Sequence, residues 1–116
     1  MSVGQLLRWQ WEGYPRYHRS RINLLLHIAL VPLFLIGNVA LVVALVKQSL
    51  TLGIVGIIGM FVSVSLQGRG HRIEPIPPEP FTGPLNALSR IFFEQWVTFP
   101  RFVLSGGWLR ALRTAA

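Results

Sequence analysis

From Leu24 to Val46 the chain runs 23 residues without a formal charge, apart from any proton on His27, and after the short turn Lys47-Gln48-Ser49 it runs 17 more, Leu50 to Leu66. A bilayer core of about 30 Å takes roughly 17 to 25 helical residues to cross. The spacing therefore predicts two membrane-spanning helices, at about 22–46 and 49–67, joined as a hairpin. Neither run carries the polar face expected of a core helix in a soluble bundle. A secretory signal fits poorly, because the first run begins some twenty residues in, exceeds the usual apolar region and has no small-residue cleavage site.

Charge gives the hairpin a direction. Of the 11 basic residues, only Lys47 lies in the turn; Arg8, Arg16, Arg19 and Arg21 precede the first run, and Arg69, Arg72, Arg90, Arg101, Arg110 and Arg113 follow the second. Basic residues collect on the cytoplasmic side of membrane proteins, so both termini are expected there, in a bacterial-type inner membrane. The formal charge of +7 is thus a membrane signal, and no nucleic-acid partner is expected.

The flanks read as interfacial. Residues 1–20 mix Leu6, Leu7, Trp9, Trp11, Tyr14 and Tyr17 with arginines, and "GYP" at 13–15 marks a break. Ser20 is placed to cap the first span, which Pro32 should kink. Gly53, Gly56 and Gly59 on the second span, with Gly37, Ala40 and Ala44 on the first, would let the helices approach closely. Beyond "EPIPPEPF", the stretch from about 84 to 112 is rich in Phe and Trp but interrupted by Arg90, Glu94 and Arg101, with breaks at Pro100 and "SGG". It is expected to lie along the interface. The fold class is therefore an all-α integral membrane protein: one domain, 1–116, with a two-helix transmembrane hairpin and amphipathic interfacial helices at both ends.

The three histidines fall at one end of that hairpin. His27 lies one turn inside the first span, His18 just before it and His71 just after the second. Glu74 follows His71 by three residues, the spacing of Glu/His pairs in metal-binding bundles. With no cysteine in the chain, a metal would be held by imidazole and oxygen, a set that suits non-haem iron, manganese or copper. The candidate ligands are His18, His27, His71 and Glu74. Asn23 and Gln67, each one turn before a histidine, are candidates to orient the imidazoles.

The residues "YPRYHRSRINLLLHIALVP" and "QGRGHRIE" resemble two signatures of the small membrane proteins related to the fungal 2-hydroxy fatty acid dioxygenase of phytosphingosine metabolism. The matching positions are Tyr14, His18, Asn23, His27, Val31 and Pro32 in the first, and Gln67, Gly70, His71 and Glu74 in the second. The resemblance covers about a third of the chain; longer members carry a further pair of membrane segments between the signatures. It implies an Fe(II)-dependent enzyme that shortens 2-hydroxy fatty acids by one carbon, with His18, His27, His71 and Glu74 as catalytic metal ligands. On that reading Arg21, Arg69 or Arg72 would meet the substrate carboxylate. The competing reading is a non-catalytic membrane subunit or assembly protein, docking a larger complex through its aromatic C-terminal region. A homo-oligomer stays open under either.

Overall fold

Ser2 closes the first turn of the chain. Its hydroxyl accepts from the Gln5 N–H at 3.2 Å, and the Gln5 side chain accepts from the Ser2 N–H at 2.8 Å, a reciprocal cap on helix α1, Val3–Gly13. A computed structural model describes all residues, 1–116. Pro15 then tightens the chain into a 3₁₀ turn, Tyr14–Tyr17, at the break expected of "GYP". Ser20 caps helix α2, Arg21–Lys47, its Oγ accepting from the Asn23 N–H at 3.4 Å. Pro32 lies within α2 without ending it.

At the far end Gln48 takes a left-handed conformation (φ 53°), and Ser49 Oγ accepts from the Leu52 N–H at 3.2 Å to start helix α3, Leu50–Arg72. Helix α3 runs through Arg72 instead of stopping near 67. That extension keeps His71 helical and matters below.

Helices α2 and α3 pack against each other as an antiparallel hairpin. At 1.5 Å per residue they are rods of about 40 and 35 Å, in keeping with a longest molecular dimension of 45 Å. Their closest crossing is at two glycines. A Cβ on Gly37 would come within 2.8 Å of the Gly56 carbonyl oxygen, and one on Gly56 within 2.9 Å of the Gly37 carbonyl oxygen. Gly53 and Gly59 would make only ordinary contacts, 3.5 and 3.6 Å. The expected stripes meet over most of their length: Gly56 faces Gly37 and Ala40, and Gly53 faces Ala44, while Gly59 lies against Leu33.

Much of the hairpin has no protein cover. In the most apolar 18-residue windows only 28% of α2 and 17% of α3 is buried, where the core helix of a soluble protein would be mostly buried. These two helices are long and apolar enough to cross a membrane.

Residues 73–83 have no regular structure. Gly83 then precedes Pro84 at the first position of a helix, where a missing N–H costs no intrahelical bond. Pro84–Phe93, a π-helical turn Glu94–Thr98, and Phe99–Leu104 follow without a break and form one helix, α4. Pro100 was expected to break this helix; instead the wider turn just before it accommodates a ring with no N–H to return. "SGG" does break it: Gly106 is left-handed (φ 84°), and α5, Gly107–Thr114, begins there. The protein is therefore all-helical, with five helices.

Its core sits at the open end of the hairpin. Tyr14, Leu24, Val31, Phe99 and Phe102 are buried together, with Trp11 and Trp108 packed against them. Each such side chain contributes about 1.5–3 kcal/mol by burial. Trp108 Nε1–H also donates to the Leu24 carbonyl at 3.0 Å, fastening α5 to α2. Arg21 N–H donates to the Ala116 carbonyl at 3.3 Å, so the C-terminus lies at this same end.

Candidate metal centre

Three buried or partly buried histidines meet at that end. The rings of His18, His27 and His71 stand 4.9 Å apart, centroid to centroid, in all three pairs, with planes 81–89° apart. Each comes from a different element: His18 from the residue after the 3₁₀ turn, His27 from α2, His71 from the last turn of α3. A carboxylate completes the group. One ligand atom from each of His18, His27, His71 and Glu94 lies within 4.8 Å of the others.

Hydrogen bonds fix which nitrogens face inward. His18 Nδ1 lies 2.8 Å from the Tyr14 carbonyl oxygen, and His27 Nδ1 lies 3.0 Å from the Asn23 carbonyl oxygen. A carbonyl only accepts, so both Nδ1 atoms carry hydrogen, and in the neutral rings both Nε2 atoms present a lone pair. Those two Nε2 atoms, and Nδ1 of His71, are buried without a hydrogen-bond partner. One unsatisfied buried group costs about 1–3 kcal/mol. Three facing one another are better explained as a ligand set than as packing.

The spacing agrees. Both Nε2 atoms lie 3.6 Å from Glu94 Oε2. Ligands bonded at about 2.1 Å around a tetrahedral ion would be about 3.4 Å apart. The buried three-histidine, one-glutamate group can therefore hold a metal ion.

Tyr14 supports two ligands at once. Its ring stacks on His18 at 3.8 Å, and its hydroxyl donates to Glu94 Oε2 at 2.8 Å. Burial raises the Tyr14 phenol well above its usual pKa, and the Glu94 charge adds to this, so it stays protonated as the donor. Burial also pushes the Glu94 carboxyl up, but the neighbouring His18 and His27 rings outweigh it and hold Glu94 well below the usual carboxylate range. Glu94 is thus in the anionic form that a cation needs.

Glu74, expected as the fourth ligand, is used elsewhere. Its carboxylate accepts from the backbone N–H groups of Arg19 (2.8 Å) and Ser20 (3.1 Å) and from Asn23 Nδ2 (2.6 Å). It caps the start of α2, where a negative charge meets the helix dipole. The His-x-x-Glu spacing aligns the two side chains only if the helix continues, and α3 ends at Arg72. Asn23 then links Glu74 to His27: its side chain holds the one and its carbonyl the other. Asn23 sits against Gly70, where any Cβ would collide with its Oδ1.

Gln67 hydrogen-bonds to no histidine. It forms a reciprocal amide pair with Gln95, 2.8 Å in each direction, and also donates to Ser63 Oγ at 3.0 Å. It therefore holds the π-helical turn that carries Glu94. Of the arginines expected at a substrate, Arg21 and Arg69 are exposed and off the cavity described next.

A cavity of about 390 Å³ opens against the cluster, within the range of ligand pockets. His18, His71 and Glu94 form one wall; Trp9, Phe81 and Ile91 are among its apolar lining, and Arg72 and Arg90 also face it. Sequence reasoning missed Glu94 and Arg90. A signal for Glu94 existed: it is one of only four acidic residues and stands inside "IFFEQWVTF", where an ionised group is costly unless it has a task. Comparison with protein-family models, with curated proteins and with solved structures finds no match.

Proposed function

We propose that this chain is a membrane-embedded, iron(II)-dependent oxygenase of 2-hydroxy fatty acids. The observation that carries this reading is the convergence of three unpartnered imidazole nitrogens and one carboxylate beside a cavity that His18, His71 and Glu94 line. A nitrogen-rich set without thiolate suits iron among other metals, and four protein ligands leave positions open in a six-coordinate ion. The resemblance of the two signature stretches directs the choice to iron and to this substrate. The net reaction would convert a 2-hydroxy acid and O₂ to the acid one carbon shorter, CO₂ and water. Bound iron would supply the activation of O₂.

The chain's own part would be positioning. Trp9, Phe81 and Ile91 would hold the acyl chain, and Tyr14 would hold Glu94 in place. Residues 78–81 line the cavity and would limit water entry. The bare α2–α3 hairpin would sit in the bilayer, with both termini on its basic, cytoplasmic side and α1, α4 and α5 at the interface. Exposed Leu85, Leu88 and Phe92 on α4 suit that placement; they would equally suit docking to a larger membrane complex.

Metal content and oxygen uptake test the proposal together. Protein purified anaerobically and supplied with Fe(II) should hold about one ion per chain and consume O₂ with 2-hydroxypalmitate but not with palmitate. Metal binding without oxygen uptake would leave a metal centre and remove the oxygenase. A folded protein that binds no metal would leave the docking reading.

A further inference from the structure

Arg90 is held in a way that a solvated surface arginine is not. Its guanidinium lies over the rings of Trp9 (4.9 Å) and Phe81 (4.5 Å). Nη1 donates to the Pro80 carbonyl at 3.1 Å and to Asn86 Oδ1 at 3.4 Å, and Nη2 donates to the Glu79 carbonyl at 2.8 Å. The backbone behind it is fixed as well, because Gln10 Nε2 donates to the Arg90 carbonyl at 2.8 Å.

An arginine has five N–H donors in a planar fork. The three bonds above occupy Nη1 and one hydrogen of Nη2. Nε–H makes no bond within the chain, and with a hydrogen of Nη2 it can form the two-pronged grip that arginine gives a carboxylate. Arg90 lines the same cavity as His18, His71 and Glu94 and precedes Glu94 by one helical turn, which puts their side chains on neighbouring sites of one face.

We propose that Arg90 binds the carboxylate of an acyl-chain substrate and so sets which atoms reach the metal group. For its identification of the acid as a 2-hydroxy acid, this rests on the oxygenase reading above. The hydroxyl-bearing carbon is bonded directly to the carboxyl carbon. A carboxylate anchored one turn from Glu94 therefore presents that carbon to the His18–His27–His71 group and sends the chain along the apolar lining. The negative charges of Glu79 and Glu94 in the same walls oppose a diffuse anion site. Selection thus comes from the two directed bonds of the fork, and the exposed Arg72 adds only a screened attraction.

Equilibrium binding to metal-free protein in lipid nanodiscs tests this without turnover. The probes are labelled 2-hydroxypalmitate, its methyl ester and hexadecyl phosphate. The wild type should prefer the acid over the ester by about ten- to a hundredfold, the range for a charge-assisted bond. Arg90→Gln and Arg90→Lys should bring that ratio close to one, while Arg72→Gln retains most of it. Arg90→Lys keeps the charge and loses the fork; it decides the matter if Arg90→Gln releases residues 79–81 and unfolds. Arg90→Lys should bind metal as the wild type does. Equal binding of acid and ester by the wild type, or a full preference kept by Arg90→Lys, would overturn the proposal. So would tighter binding of hexadecyl phosphate than of the acid, which would mark a lipid phosphate site. If the oxygenase reading alone is wrong, the acid preference and its loss in Arg90→Lys persist while no oxygen is consumed.

Discussion

At the turn end of the hairpin, Val42, Leu45, Val46 and Leu50 stand 61–80% exposed; at the open end Asn23, Leu24 and His27 are completely buried. The same two helices supply both ends. Beyond Asn38, which accepts from Trp96 Nε1–H at 3.4 Å, the turn end is held by contact between the two helices, with Gly37 and Gly56 meeting at its base. The open end is wrapped by α1, α4 and α5 and joined by polar bonds, from the Gln67–Gln95 pair to the Tyr14–Glu94 contact. Apolar side chains without protein cover are stable where the solvent is itself apolar. Polar side chains held at fixed angles require a packed shell around them. The contrast is the one that the proposed membrane anchoring of the turn end and metal chemistry of the open end would require.

The largest expected effect separates the two glutamates at the open end. Glu94→Gln should weaken metal binding by more than the ten- to hundredfold typical of an outer contact, because it removes a charged ligand. Glu74→Gln should keep one metal per chain and cost about 1–3 kcal/mol of stability, because its carboxylate holds backbone N–H groups and Asn23. Metal titration and melting curves on the two variants would show the crossover. Metal lost from Glu74→Gln and kept by Glu94→Gln would reverse the assignment.

A charge at the turn end comes next. Val42→Arg places a cation on an exposed face of α2, where a lipid neighbour makes it cost up to about 2.5–3.5 kcal/mol, the insertion-scale figure for the centre of a span. If water covered that face, the change would be within about 0.5 kcal/mol. Membrane-insertion efficiency of the variant distinguishes these outcomes, and an unaffected variant would break the comparison.

Packing within the hairpin should matter less and locally. Gly56→Ala forces a methyl group toward the Gly37 carbonyl and should cost about 1–3 kcal/mol. Gly53→Ala meets only an ordinary contact and should be tolerated. Thermal melts of the two variants should differ accordingly, with metal stoichiometry unchanged in both. The smallest effect is a gain: Gln48→Gly relieves a left-handed residue in the turn and should stabilise the protein by up to about 1 kcal/mol, read as a raised melting temperature.

Much of this arrangement was legible in the chain. Two charge-free runs and a three-residue turn require a hairpin, and the positions of His18, His27 and His71 on it place all three at one end. Those inferences use only rise per residue and hydropathy, which act locally. The identity of the carboxylate was not legible by the same means. His-x-x-Glu is a local pattern, and it failed because the helix stops two residues short of Glu74 and turns its side chain onto the N-terminus of α2.

Sequence alone determined the elements, the bare apolar hairpin, the absence of any thiolate ligand and the gathering of the histidines. Tertiary structure decided the rest: Glu94 arrives on α4 and bonds to Tyr14, 80 residues earlier in the chain. A π-helical turn before Pro100 carries Glu94, and Gln67 clamps that turn through Gln95. Arg90 lines the same cavity, held there by the Glu79 and Pro80 carbonyls and the Phe81 ring. Contacts over such separations depend on how helices pack in space, which neither hydropathy nor spacing along the chain encodes.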